Sequence, residues 1–345
     1  MFTTPAVHAL RRHFPDAHIS YIVEPAAAPV IRHNPHIDEV IVTPRRRGVS
    51  GLVADLVLAR RLRARRFDLA IDFHGGPRAS LLTWLSGARE RVGYTVVARS
   101  WMYTRRVERP RALRRRHSVE NQWDLLTAIG VPPPDRASLP VEMPLDVSAA
   151  QIVAGRLARA GVAVTHDVIV VHVSAGNPFR RWPIPHFVAL VVALAREDPG
   201  RRIVMTSGPS EHDAAERVIA DAREQLGSPA ADRIVSCGEF SLAELRALLE
   251  RAALYIGGDS GPLHIAATSR VPVVGLYGPT LPVRSAPWRD PRWIDVAVDA
   301  GDLPCRPCDQ RVCAPGDFRC LTSITPEQVL EAATQALAEA AAGKM

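Results

Sequence analysis

Short apolar runs at 19–23, 40–42 and 69–71 are separated by helical or loop segments such as 53–62. That alternation predicts a parallel sheet with helices on its faces. Ahead of the first run, 1–13 reads as a helix with Pro5 near its start and Val7, Leu10 and Phe14 on one side, so no strand precedes it. Further along, strands are predicted at 168–173, 203–206, 233–235, 253–256 and 271–277, with helices over 149–160 and 262–268. Ser241-Leu242-Ala243-Glu244 has the spacing of a capping box and starts a helix leading to Arg251, and Thr325-Pro326-Glu327 starts a last helix to 341. Between the halves, Val131-Pro132-Pro133-Pro134, continuing to Pro140 and Pro144, can be neither helix nor central strand. It is read as the linker between two domains, 1–145 and 146–345.

A chain of 345 residues with 47% hydrophobic and 23% charged residues is long enough for two full cores. No apolar run reaches the length needed to span a bilayer, and the N-terminus lacks the basic, apolar and small-residue succession of a secretory signal, which predicts a cytoplasmic protein. The net charge of +7 is uneven: residues 1–150 hold 23 arginines against 14 acids, so that half is +9 and the remainder about −2. Its basic clusters, Arg45-Arg46-Arg47, 60–66 and 105–116, would attract nucleic acid, an anionic membrane surface or a phosphorylated glycolipid. The alternative is arginine-biased composition on solvated faces, since Lys344 is the only lysine. No recognised DNA- or RNA-binding motif is present, so nucleic acid is not expected as a partner.

The densest chemistry lies in 253–280, where an apolar run stops at Gly257-Gly258-Asp259-Ser260-Gly261 and a helix follows. A glycine turn lets backbone N–H groups approach an anion closely, and the helix start adds unpaired N–H groups, so a phosphate or diphosphate fits there. Asp259 would be repelled by phosphate and so either accepts hydrogen bonds from sugar hydroxyls or, with Ser260, N-caps the helix. His264 is either packed in the helix or a donor to the phosphate. After 168–173 comes Ser174-Ala175-Gly176-Asn177-Pro178-Phe179-Arg180-Arg181-Trp182-Pro183, a small, polar, basic loop in which Ser174 can donate a hydroxyl and Arg180 or Arg181 can neutralise diphosphate charge. Its bland alternative is a surface loop over a packed Trp182-Pro183. Glu211 follows 203–206 in the first turn of a helix, where a dipole favours an acid in any case. Asp72-Phe73-His74-Gly75-Gly76, after the run 69–71, supplies acceptor-side candidates or a plain turn. Four of five cysteines lie together as Cys305, Cys308, Cys313 and Cys320, readable as a structural zinc site, as reduced packed thiols or as a disulfide pair.

DSGPLHIAAT, followed by P-x-x-G-L-Y-G-P-T, resembles the signature of glycosyltransferase family 9, the bacterial ADP-heptose:lipopolysaccharide heptosyltransferases. The resemblance covers nearly all of the chain and is strongest at 169–183, 203–211 and 253–280. It implies a GT-B fold, two Rossmann-like doubly wound parallel-sheet domains facing a cleft, with acceptor on the first domain and nucleotide-sugar on the second, onto whose partner the terminal helix often crosses back. It further implies an inverting transfer of heptose from ADP-heptose to the anionic lipopolysaccharide inner core, with no cofactor and with peripheral contact at the inner membrane surface. Ser174, Arg180, the Ser260 and Gly261 amides and His264 would hold the diphosphate, Glu211 the ribose and Asp259 the sugar. Arg180 stands where the family's basic-x-Trp-Pro element usually has lysine, with one extra residue between Ser174 and Trp182. The cysteine cluster recurs in the heptosyltransferase II-like branch and is expected to lie away from the donor motifs. Other readings keep the fold but change the sugar, or make the chain a nucleotide-sugar-binding protein without turnover.

The same resemblance carries an expectation about the start of the chain. Met-Phe-Thr-Thr-Pro-Ala-Val matches the interior of the family's first motif, which places the family's general-base aspartate about two positions before Met1. The native protein would then be longer by a strand and a loop, on the order of fifteen residues. Asp72 is the weak substitute base within this sequence.

Overall fold

The computed structural model describes residues 1–44, 48–110, 114–173 and 177–343. Ser174 and the cluster Arg45-Arg46-Arg47 lie outside the described residues. The chain forms two compact units, Phe2–Asp135 and Arg136–Met345, and the proline-rich stretch 131–144 contains neither helix nor strand.

In the first unit, β1 (Ser20–Val23) pairs with β2 (Glu39–Val42), and β3 (Leu69–Ile71), β4 (Glu90–Tyr94) and β5 (Arg105–Val107) form a separate sheet; every pair is parallel. The apolar runs at 19–23, 40–42 and 69–71 become β1 to β3. β4 and β5 were not visible as apolar runs because charged residues occupy them: Arg105 is a strand residue, paired with Glu90 of β4 at 2.6 Å. No residue of β1, β2 or β3 is fully buried.

The second unit carries the larger core. Six parallel strands run in the order β11-β10-β9-β6-β7-β8, with β6 at Asp167–His172, β7 at Arg201–Thr206, β8 at Ile234–Ser236, β9 at Leu254–Gly258, β10 at Val273–Tyr277 and β11 at Asp295–Asp299. Every residue of β9 and β10 is buried, as their continuous apolar sequence requires of strands covered on both faces. Helix Ile184–Glu197 buries Phe187, Val188, Leu190, Val191, Val192, Leu194 and Ala195, at roughly 1.5–3 kcal/mol for each of the larger side chains. The capping boxes form as spaced: Ser241 accepts from the Glu244 amide while Glu244 accepts from the Ser241 amide, and Thr325 and Gln328 do the same for helix Pro326–Ala341. That helix lays Val329, Ala332, Ala333 and Ala336 on the core of its own unit. Trp288 ties the linker end to this unit, donating from Nε1 to the Leu139 carbonyl at 2.8 Å and accepting at its own carbonyl from the Val141 amide at 2.8 Å. No helix among the described residues is long and apolar enough to cross a membrane.

On β10 the fully buried Tyr277 ring lies over Gly275, two residues earlier on the same face, and a Cβ at Gly275 would come within 2.8 Å of Tyr277 Cε2. Relieving that contact means moving a ring that is fully buried, in an interior packed to crystal density. Gly275→Ala should therefore lower stability by about 1–3 kcal/mol, the range for overpacked cores, read as a lower urea midpoint at unchanged m-value. An unchanged midpoint would show that the ring relaxes.

Candidate functional site

From β6 the chain winds outward through β7 to β8, then returns to place β9 on the other side of β6. The crossovers therefore change direction between β6 and β9, and in open α/β sheets the crevice beyond the carboxyl ends of strands at such a switch point takes the ligand. The loops leaving those two strands, and the one leaving β7, carry most of the sequence candidates.

A tight turn sets the first loop. Asn177 Oδ1 accepts from the Phe179 amide at 3.0 Å, and its carbonyl accepts from the Arg180 amide at 2.9 Å, closing the single turn Pro178–Arg180. Beneath it, buried Trp182 donates to the Ile324 carbonyl at 2.9 Å and packs edge-on against Phe187 with ring centroids 4.9 Å apart. Anchored this way, the two arginines each reach a different acid. Arg180 Nη1 lies 3.0 Å from the Asp259 carbonyl and 3.1 Å from its Oδ2, while Arg181 donates to Glu211 Oε1 at 2.8 Å. Ser210 adds a hydroxyl donor to the same Glu211 oxygen at 2.7 Å.

Asp259 is the centre of the arrangement. It is 3% exposed, and His264 Nε2 lies 3.7 Å from Oδ1, opposite Arg180. Burial alone would raise its carboxyl pKa, but the neighbouring His264 and the Arg180 charge outweigh it and hold the group below the usual carboxylate range. Asp259 caps nothing. Ser260 occupies the N-cap of helix Gly261–Ala266, yet makes no side-chain cap, and its buried Oγ has no hydrogen-bond partner among the described residues. The first amides of this helix are thus left without a capping side chain, although six residues supply only a small macrodipole.

Two residues of this neighbourhood were missed in the sequence. Arg284, in the short helix Pro282–Ser285 after β10, lies within electrostatic reach of Asp259 and Arg180; burial lowers its pKa, the Asp259 charge opposes this and the Arg180 charge adds to it. Its position at the carboxyl end of β10 was the available signal. Gln310 is the other: its Oε1 accepts from Arg180 Nε at 2.7 Å and from Asn177 Nδ2 at 2.8 Å. Gln310 belongs to the cysteine segment, so the expectation that this segment lies away from the donor motifs is corrected. Its attachment is extensive, for Arg306 donates to the Thr280 carbonyl at 3.1 Å and to Asp299 Oδ2 at 3.0 Å, and the Cys308 amide donates to the Pro279 carbonyl. All five cysteines are free thiols; burial first, then the neighbouring thiols, push Cys320 up to about 11. Among the described residues, no three of the four clustered sulfurs lie within 4.8 Å of one another.

Asp72, in the first unit, is 4% exposed and spends its oxygens on its own loop. Oδ1 accepts from the His74 and Gly75 amides at 2.9 and 2.8 Å, and Oδ2 accepts from the Tyr103 hydroxyl at 2.6 Å. Burial and this bond raise the Tyr103 pKa. The geometry is that of a turn clamp, one of the two readings left open for this residue.

The sequence model of glycosyltransferase family 9 (heptosyltransferase) matches residues 56–317, three-quarters of the chain, and the chain belongs to this family of glycosyltransferases. It is 27% identical over 314 residues to lipopolysaccharide heptosyltransferase 3 of Escherichia coli, covering 90% of this chain and 88% of that one. It is also 24% identical over 347 residues to lipopolysaccharide heptosyltransferase 2 of Salmonella typhimurium, covering 98% and 95%. Among solved structures it resembles a family 9 glycosyltransferase from Veillonella parvula, with TM-score 0.83, 25% identity and coverage of 98% and 93%. It resembles Escherichia coli ADP-heptose lipopolysaccharide heptosyltransferase II with TM-score 0.77 at 20% identity, over 99% and 95%. The fold class is the expected one, α/β of the GT-B type.

Beneath these loops, His172 ends β6 at 3% exposure, with Nδ1 3.0 Å from Thr206 Oγ1. Burial lowers its pKa from 6.5 to about 4, with the Glu211 charge opposing. A histidine whose folded pKa is depressed takes its proton later than in the unfolded chain, so stability is lost as pH falls from 6.5 toward 4. At 1.36 kcal/mol per unit the loss is up to about 3 kcal/mol. Urea midpoints across that window should fall for the native chain and fall less for His172→Gln; parallel profiles would remove His172 from the account.

Proposed function

We propose that the chain transfers heptose from ADP-heptose to the lipopolysaccharide inner core, with inversion at the anomeric carbon. The observation that carries the reading is the arginine pair at the switch point, where Arg180 lies 3.1 Å from Asp259 and Arg181 2.8 Å from Glu211, with the arginine side chains still 30% and 43% exposed. Guanidiniums that are fixed by acids yet remain partly exposed can donate further hydrogen bonds to a diphosphate. Similarity to relatives named as lipopolysaccharide heptosyltransferases supports the sugar and the acceptor.

In this reading Arg180, the Ser260 and Gly261 amides, His264 and, from sequence alone, Ser174 hold the diphosphate. Glu211, held by Arg181 and Ser210, accepts the ribose hydroxyls, and Asp259 accepts from the sugar. As the glycosidic bond breaks, negative charge builds on the departing ADP, and guanidinium and amide donors already fixed in place stabilise it without reorganising. The acceptor hydroxyl gives its proton to a carboxylate base. Asp72 is not proposed for that step, because its oxygens are engaged by its own loop and by Tyr103.

Calorimetry with ADP tests the site. Arg180→Ala should weaken binding by about 1.5–3 kcal/mol, the range for a charged hydrogen bond. Gln310→Ala should weaken it less, and should add nothing in the Arg180→Ala background, because Gln310 acts by holding that guanidinium. Unchanged ADP affinity in Arg180→Ala would remove Arg180 from the site, and additive losses would remove Gln310 from its role. Transfer to a core acceptor, measured over a panel of nucleotide-sugars, tests the sugar: ADP-heptose should be the preferred donor, and preference for a hexose donor would overturn that assignment.

A further inference from the structure

Helix Gly48–Ala64 of the first unit is apolar on two faces. Gly51, Leu58, Ala59 and Leu62 are buried, the last three clustering with Leu82 and packing against Ile41, Phe67 and Leu85. The opposite face keeps five aliphatic side chains in water: Val49 is 77% exposed, Leu52 70%, Val53 56%, Leu56 50% and Val57 42%. At 100° per residue, 49, 52, 53 and 56 form one continuous outward stripe. A stripe of this kind costs solubility if nothing covers it.

The charged side chains that continue the stripe along the helix are arginines. Arg60 and Arg63 continue it along the helix, and Arg61 and Arg66 lie exposed just beside or beyond them, while Arg65 is paired with Glu39 at 2.6 Å. The helix has one acid, Asp55, and it is turned inward to Arg78 at 2.7 Å. In the sequence, Arg45-Arg46-Arg47 stands immediately before the helix. Aliphatic side chains on one outward face, flanked by arginines and free of carboxylates, match the boundary between acyl chains and anionic headgroups: the aliphatic groups enter below the phosphates, and the arginines pair with the phosphates. Arginine stems can also lie along apolar surface with their heads at the phosphate level.

We propose that the outward face of Gly48–Ala64 docks the protein on an anionic phospholipid bilayer, with Val49, Leu52, Val53 and Leu56 inserted and Arg60, Arg61 and Arg63 on the headgroups. Vesicle binding is read without donor or acceptor, so its failure would leave the transfer reaction standing. The full chain should co-sediment with vesicles of phosphatidylethanolamine and phosphatidylglycerol, bind phosphatidylcholine vesicles far less, and lose affinity as salt rises. Leu52→Ser/Leu56→Ser should reduce binding at least tenfold at unchanged melting temperature. Arg60→Glu/Arg61→Glu, which changes only exposed side chains, should abolish the preference for phosphatidylglycerol. Absence of binding to the anionic vesicles, or equal binding by the serine variant, would overturn the proposal. So would a concentration-dependent dimer of the native chain that the serine variant abolishes, since the stripe would then cover a second copy.

Discussion

The ion pair between Arg180 and Asp259 joins two loops that leave neighbouring strands on either side of the switch in β-strand order. Withdrawing the Asp259 carboxylate to 3% exposure is costly, and it is sustained because Arg180 stands 3.1 Å from one oxygen and His264 3.7 Å from the other. Neither partner could reach it without its own scaffold. Arg180 is held by the turn at Asn177 and by Gln310, and His264 by the short helix that begins at Gly261. The side chain of Arg180 nonetheless remains 30% exposed, so its guanidinium can pair with Asp259 and still meet an incoming anion.

On the proposed function, this geometry lets one loop serve two ends of a nucleotide-sugar. In that reading the arginines supply charge where a diphosphate would sit, and the acids, buried beside arginines, supply acceptors for hydroxyls on either side of it. Glu211 is paired with Arg181 just as Asp259 is paired with Arg180, so adjacent residues of one loop fix acids on two different strands' loops. The cysteine segment belongs to the same construction: Arg306 and the Cys308 amide fasten it to the carbonyls after β10, and Gln310 braces Arg180 by accepting from its Nε, leaving Nη1 on Asp259.

Much of the second unit was legible because its strands are covered on both faces and therefore read as unbroken apolar runs, each ending in a loop with glycine, serine or a charge. The capping boxes at Ser241 and Thr325 were legible for a local reason: both partners lie within three residues. Strands β4, β5 and β11 were not, since Glu90, Arg105, Asp295 and their neighbours interrupt any apolar pattern. Gln310 lies 130 residues from Arg180, a pairing that no local spacing encodes. The outward stripe of Gly48–Ala64 escaped for another reason: with aliphatic residues on both faces, only packing reveals which face the core takes.

The most direct measurement is a crystal structure of the full chain with ADP. The account predicts the diphosphate beyond the ends of β6 and β9, its oxygens within hydrogen-bonding distance of the Arg180 guanidinium and of the Ser260 and Gly261 amides, with the ribose beside Glu211. ADP bound elsewhere, with Arg180 still closed on Asp259, would contradict it.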